Sequence, residues 1–234
     1  MQLNYIIYIL ILVFCTVILK KYLFKNTNNI ILTKNDVFFD YNKYYPELNI
    51  INENRDIIFK EFNNAIKTKI WNEWINGNYI TLVPLNCCGF WSESVSNILP
   101  KTTNILKKIP EILSVSFSRL KPNTQLTPHQ DWGKTSNNVL RCHYGLIVPQ
   151  NCGSIIENWI EFIENNKWLV LDITKNHTSF NYSNEDRYII IVDMKRPNDL
   201  LHGTSNIKTD KNVANEILKF FTIEQSTEII KMIF

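Results

Sequence analysis

Apolar and polar residues alternate differently in successive parts of this chain. Residues 1–19 carry no charged side chain and are apolar on every face, with the run Tyr5-Ile-Ile-Tyr-Ile-Leu-Ile-Leu-Val-Phe-Cys-Thr-Val-Ile-Leu19 at the centre. At about 1.5 Å per residue such a helix spans roughly 28 Å, close to a hydrocarbon core of about 30 Å. Lys20, Lys21 and Lys25 follow, with Tyr22 and Phe24 between them. Lysines there can snorkel while the aromatic rings sit at the interface. The pattern predicts a transmembrane anchor over residues 1–24. No basic residue precedes the run and no small-residue cleavage site follows it, which argues against a cleaved signal peptide. Apolarity all round argues against a core helix. The lysines on its C-terminal side alone place the main domain in the cytoplasm.

Residues 25–54 are polar and Asn-rich, with Tyr41, Tyr44 and Tyr45 interspersed, and read as a linker that gradually docks on the domain. Within 55–75, Ile57, Ile58, Phe62, Ala65, Ile66, Ile70 and Trp74 recur at helical spacing, with Gly77 as a stop. Residues 79–85 read as a strand, and 92–108 as one or two short helices broken at Pro100. From Ser114 the pattern becomes short β-branched and aromatic runs at 114–120, 140–148, 154–163, 168–173 and 187–194, with turn-forming residues between them. Strands at this spacing predict a β-sandwich or barrel such as a jelly roll, in a domain over 55–200. A tail, 201–234, is predicted to be partly helical from Ala214, docking Ile217, Leu218, Phe220 and Phe221 on the domain.

Composition changes how rare residues are read. The chain has 34 Ile, 31 Asn and 20 Lys against 2 Ala, 6 Gly, 5 Arg and 4 His. A strongly AT-rich coding sequence explains that skew, so an Arg, Gly or His that persists marks a place where Lys or Asn does not serve. Hydrophobic residues at 45% exclude global disorder. The net charge of +3 comes without a basic cluster, so nothing points to nucleic acid. Five cysteines without a CxxC pair indicate neither a disulfide scaffold nor a structural zinc site, although one disulfide among the last four stays open. Adjacent Cys87 and Cys88 read as buried thiols. The tryptophans read mostly as core, with Trp132 a candidate for the substrate entrance.

Three histidines fall in the β region. His129 and Asp131 lie two apart, so on a strand they share a face, and His177 follows 48 residues later. His-x-Asp with a distant His is the set that gives iron(II) a two-histidine, one-carboxylate face with open positions. The bland alternative is a surface turn capped by Asp131 with core histidines. Arg141 and His143 alternate on one strand, and Arg187 opens another. Buried cations need an anion, and a guanidinium grips a carboxylate bidentately. Ordinary salt bridges, such as Arg187 with Asp172 or Asp193, are the competing reading.

Residues 116–197 carry a resemblance. The matching pieces are Phe117-Ser-Arg-Leu-Lys-Pro-Asn-Thr124, Pro128-His129, Leu140-Arg-Cys-His-Tyr-Gly-Leu-Ile-Val-Pro149, Asp172 five residues before His177, Glu185-Asp-Arg187, Ile191-Val-Asp193 and Arg196-Pro197. In that order they resemble the aspartyl/asparaginyl β-hydroxylase family of iron(II)- and 2-oxoglutarate-dependent dioxygenases. The resemblance implies a mainly β fold, a double-stranded β-helix with flanking helices. It implies His129 and His177 as iron ligands, joined by Asp131. Ser118 and Arg187 are implied to hold the distal carboxylate of 2-oxoglutarate, and Arg141 and His143 to lie near its other carboxylate. The implied chemistry is decarboxylation of 2-oxoglutarate to succinate, with O2 as oxidant, coupled to hydroxylation of a peptide Asp/Asn side chain or a lipid acyl chain. The animal peptide hydroxylases lack a carboxylate at the Asp131 position. The lipid A acyl-chain hydroxylase branch has His-x-Asp, a short N-terminal membrane segment and an ending like Val192-Asp-Met-Lys-Arg-Pro197, and this chain is similar to it. Two other readings stand beside this one: a catalytically inactive jelly-roll binding module, and a cupin-like site for zinc or another metal.

Overall fold

The computed structural model describes residues 32–67, 72–73 and 79–234. The expected anchor at 1–24 lies outside them, as do Ile70 and Trp74 of the helical pattern read over 55–75; within that span the described helix ends at Ala65, and Asn72–Glu73 pair as a strand with Thr81 and Leu82 instead of continuing it. No described helix is long and apolar enough to cross a membrane.

Among the described residues the strands are β1 (Phe38–Phe39), β2 (Asn72–Glu73), β3 (Ile80–Cys87), β4 (Phe90–Trp91), β5 (Ile112–Leu120), β6 (Thr124–Gln125), β7 (Val139–Ile147), β8 (Cys152–Ile156), β9 (Trp159–Phe162), β10 (Trp168–Leu171), β11 (His177–Asn181) and β12 (Arg187–Lys195). A large sheet runs β1-β10-β7-β12-β5-β3-β2, with β4 on β3, and a small sheet runs β6-β11-β8-β9. Their neighbours pair antiparallel, as in a jelly roll.

The two faces of the large sheet have different jobs. On its outer face Val115, Phe117, Cys142, Tyr144, Ile190, Val192 and Met194 form one core with helical residues such as Ile58, Phe62, Ile105 and Leu106. The Phe62 ring stacks on Phe117 at 5.6 Å between centroids. The helix Arg55–Ala65 buries Ile58, Phe62 and Ala65, so the helical spacing read from the sequence holds over that stretch. On the inner face, register places Ser118 opposite Ile189, His143 opposite Ile191 and Arg141 opposite Asp193. Alternation along β12 therefore turns Arg187, Ile189, Ile191 and Asp193 toward the small sheet. Since both faces are covered, β12 reads as a nearly continuous apolar run.

Three further segments differ from the sequence reading. Residues 34–54, expected as a linker, are integral from Lys34: β1 pairs with β10, and Val37, Tyr45, Leu48 and Ile51 are buried. The Tyr45 hydroxyl donates to the Lys195 carbonyl at 2.9 Å. Residues 154–163, read as one strand, form the β8–β9 hairpin, turned at Glu157 with φ 50°. Strand β11 was not anticipated at all. Its inner-facing positions are polar, so it lacks an apolar alternation.

The tail docks as expected, but as two helices, Lys211–Leu218 and Ile223–Ile233. Thr222 and Gln225 form a reciprocal capping box that starts the second one. Ala214, Ile229 and Ile233 pack with Cys87, Cys88, Phe90 and Trp132. The four described cysteines are free thiols, which removes the disulfide left open above.

A buried ion pair closes the β10–β11 connection. Asp172 Oδ1 accepts from Thr174 N at 2.9 Å, Thr174 Oγ1 at 2.6 Å and Arg196 Nη2 at 2.8 Å. Burial opposes the Asp172 charge, but the Arg196 and Thr174 donors outweigh it and hold the carboxyl below its usual value. Replacing Asp172 with Ala leaves Arg196 buried without its partner, and should lower stability by about 3–5 kcal/mol, read from urea midpoints. A depressed carboxyl contributes stability above its unfolded pKa of about 4 and loses it as pH falls through the lower folded value. The acid side of the wild-type stability profile should therefore be steeper than that of Asp172→Ala.

Candidate metal centre

The site is assembled where β11 begins. His129, on the connection after β6, forms a two-bond backbone bridge with His177: N to O distances are 2.9 and 2.8 Å. That pairing sets the two imidazoles side by side, 4.4 Å between centroids. Two residues on, Asp131 N donates to the Ile173 carbonyl at 3.0 Å, which turns its carboxylate toward both rings. Asp131 Oδ1 lies 3.5 Å from His129 Nε2 and 3.6 Å from His177 Nε2. One donor atom from each of the three residues falls within 4.8 Å of the others.

The protonation of the rings follows from their partners. His129 Nδ1 is 2.8 Å from the Thr127 carbonyl and His177 Nδ1 is 2.9 Å from the Lys175 carbonyl. A carbonyl only accepts, so Nδ1 carries a hydrogen in both rings and Nε2 is the atom left to face Asp131 and, once free of its proton, to bind a metal. Burial pushes His177 down, toward the neutral form a ligand needs; the Asp131 hydrogen bond pushes His129 up. Burial works against the Asp131 charge, yet Arg141 and the histidines hold its carboxyl far below the usual range. His129 is 44% exposed and His177 only 6%, so the centre opens to solvent on the His129 side. Two imidazole nitrogens and one carboxylate oxygen on one side fit a divalent iron with positions left open.

Deeper between the sheets, polar groups lack partners. Arg187 is 1% exposed, and its Nε and Nη1 have no hydrogen-bond partner among the described residues. The Ser118 hydroxyl and His143 Nδ1 are buried in the same condition. The salt bridges proposed for Arg187 are not formed: Asp172 pairs with Arg196, and Asp193 with Arg141. Burial lowers Arg187 to about 10, so it stays a cation near neutrality. Burial first, then Arg187 and Arg141, push His143 well down, which leaves it neutral. Ser118 and Arg187 share the inner face on adjacent strands. A lone buried guanidinium beside an unpaired hydroxyl is a fitting place for a small carboxylate. The facing wall from the small sheet is polar as well: Ser154 and Ser179 hydroxyls are 3.1 Å apart, and Asn181 Nδ2 donates to three carbonyls. The sequence reading did not name these residues; the unusual Thr178-Ser179 polarity of β11 was their signal.

Two expected residues have partners within the protein. Arg141, grouped with His143 beside a cosubstrate carboxylate, is engaged by protein: Nε and Nη2 donate to Asp193 at 2.7 and 2.9 Å, and Nη1 to Asp131 Oδ2 at 2.7 Å. Trp132, read as a candidate for the substrate entrance, is half-buried and packs with Ala214, Ile229 and Ile233 of the terminal helices.

Residues 48–197 match the aspartyl/asparaginyl β-hydroxylase family, and the chain belongs to it. It is 31% identical over 114 residues to the ornithine lipid ester-linked acyl 2-hydroxylase of Rhizobium tropici, covering 47% of this chain and 40% of that protein. It is 27% identical over 154 residues to aspartate beta-hydroxylase domain-containing protein 2 of Xenopus tropicalis, covering 61% and 40%. This chain thus spans about two fifths of these curated relatives. Among solved structures, a 2OG-Fe(II) oxygenase family oxidoreductase from Burkholderia pseudomallei aligns with TM-score 0.42 and 10% identity, over 63% of this chain and 80% of that one.

The contrast between two arginines is testable. Arg187→Met removes an unpaired buried cation and should raise the stability of the ligand-free protein by on the order of 1–3 kcal/mol. Arg196→Met strands Asp172 and should lower stability by about 3–5 kcal/mol. Urea midpoints of both variants give the signs.

Proposed function

We propose that this chain is an iron(II)- and 2-oxoglutarate-dependent hydroxylase whose substrate is the acyl chain of a membrane lipid. The observation that carries the reading is one open His129–Asp131–His177 face together with an Arg187 guanidinium that lacks a partner among the described residues; the first lies at the small sheet and the second on the facing large sheet, with His143 near enough to feel both Arg187 and His177. His129, Asp131 and His177 would hold the iron, while Arg187 and Ser118 would hold the distal carboxylate of 2-oxoglutarate. When bound, these groups supply the oxidising chemistry: O2 is consumed, 2-oxoglutarate becomes succinate and carbon dioxide, and a substrate C–H becomes C–OH.

The protein's own contribution is placement. Arg187 offers a fixed charge in a site of low polarity, where its pull on a carboxylate is stronger than in water. His143 stays neutral beside it and adds no second charge that would have to be matched. The Thr127 and Lys175 carbonyls fix the imidazole faces before anything binds. The open His129 side leaves the substrate a route in.

The lipid substrate is supported by the acyl 2-hydroxylase relative, by the His-x-Asp form of the centre and by the uncharged N-terminal run, which would keep the domain beside a bilayer on its cytoplasmic side. A peptide Asp/Asn side chain is the second reading, supported by the aspartate beta-hydroxylase domain relative.

Succinate release with iron(II), 2-oxoglutarate and O2, measured against a panel of acyl lipids and Asp/Asn peptides, tests the proposal. Turnover should rise with an acyl lipid and fall at least about 100-fold in His129→Ala and in His177→Ala. Turnover unchanged in the double variant, or a wild-type chain that binds neither iron(II) nor 2-oxoglutarate, overturns it; stimulation by peptide alone selects the second reading.

A further inference from the structure

We infer that Arg141 and Asp193 are positioning residues that make Asp131 a one-oxygen ligand, so that the centre keeps three positions open instead of two. The inference rests on the metal reading above. It does not follow from the ligand set alone, because a free carboxylate can turn either oxygen, or both, toward a metal.

The geometry separates the two oxygens of Asp131. Oδ1 faces the histidines, 3.5 and 3.6 Å from their Nε2 atoms. Oδ2 accepts from Arg141 Nη1 at 2.7 Å. Arg141 cannot follow a swinging carboxylate, because Asp193 grips its other edge through Nε at 2.7 Å and Nη2 at 2.9 Å. Asp193 and Arg141 are cross-strand partners on β12 and β7, so this fork is as rigid as the large sheet. The main chain of Asp131 is pinned as well: its N–H donates to Ile173, and its carbonyl accepts from Ser205 Oγ at 2.5 Å and Ser136 Oγ at 3.3 Å.

Charge gives Asp193 a second part in the arrangement. A lone Arg141 would draw Asp131 away from a divalent cation and repel that cation. Asp193 cancels the guanidinium, so Asp131 keeps its negative charge for the metal. Lysine cannot replace Arg141, because it has no planar fork to reach both carboxylates at fixed angles.

Cobalt(II) added to the full-length, metal-free protein reads the ligand geometry without turnover. Arg141→Lys keeps a cation between the carboxylates and preserves the fold; Asp193→Asn removes the anchor. Both should weaken Co(II) binding by about 10- to 100-fold and change its visible absorption bands. The double variant should be no worse than the more impaired single one, since the residues act as a unit. Phe62→Leu, on the far side of the sheet, should lower the melting temperature and leave the bands unchanged. Wild-type affinity and bands in both Arg141→Lys and Asp193→Asn overturn the inference and spare the metal reading. Co(II) binding that is unaffected by His129→Ala overturns the metal reading, and this inference with it.

Discussion

The structure depends on burying both faces of the large sheet. Its outer face is closed by helices over a continuous apolar core, which is the dominant favourable contribution to folding. Its inner face is closed by the small sheet, yet it carries Ser118, Arg141, His143, Arg187 and Asp193. Enclosed polar groups destabilise a fold unless something satisfies them, so each of these residues must have a partner or be waiting for one. Sorting them by that criterion separates structure from function more cleanly than any of their identities does.

The arginines show the sorting. Arg196 is matched to Asp172 and closes the connection that leads into His177. Arg141 is matched twice, by Asp193 and by Asp131, and so belongs to the scaffold of the candidate metal centre. Arg187 is buried most deeply and is matched by no carboxylate among the described residues. Three guanidiniums in one small region thus have three different fates, and only the unmatched one has reason to attract an anionic small molecule.

The centre also draws on segments beyond the family-matched region at 48–197. Ser205 reaches the Asp131 carbonyl, and Asn137 exchanges hydrogen bonds with the Ser205 backbone at 3.0 and 2.8 Å. Gly133 permits that approach; a Cβ there would run into the Ser205 carbonyl. The terminal helices then hold the strip in place through Trp132. The tail is therefore part of how the Asp131 backbone is held.

Sequence by itself determined the elements whose burial is one-sided or complete. β5, β7, β10 and β12, the helix Arg55–Ala65 and the break at Pro100 follow from apolar spacing and local stops, because those depend on nearest neighbours along the chain. It also drew attention to His129, His177, His143 and Arg187 as rare residue types in a skewed composition and to Asp131 by its spacing from His129, whereas Ser118 came only from the family resemblance. Tertiary structure alone decided what those residues touch. β11 was illegible because its inner face lines a polar chamber and breaks the alternation that marks a strand. The segment 34–54 looked like a linker because its buried residues are too scattered to show a period. Arg141 stood out as a cation in need of an anion, and only the fold showed Asp193 and Asp131 to be its protein partners. Charges find their counter-charges through the fold, and no local pattern records which ones they will meet.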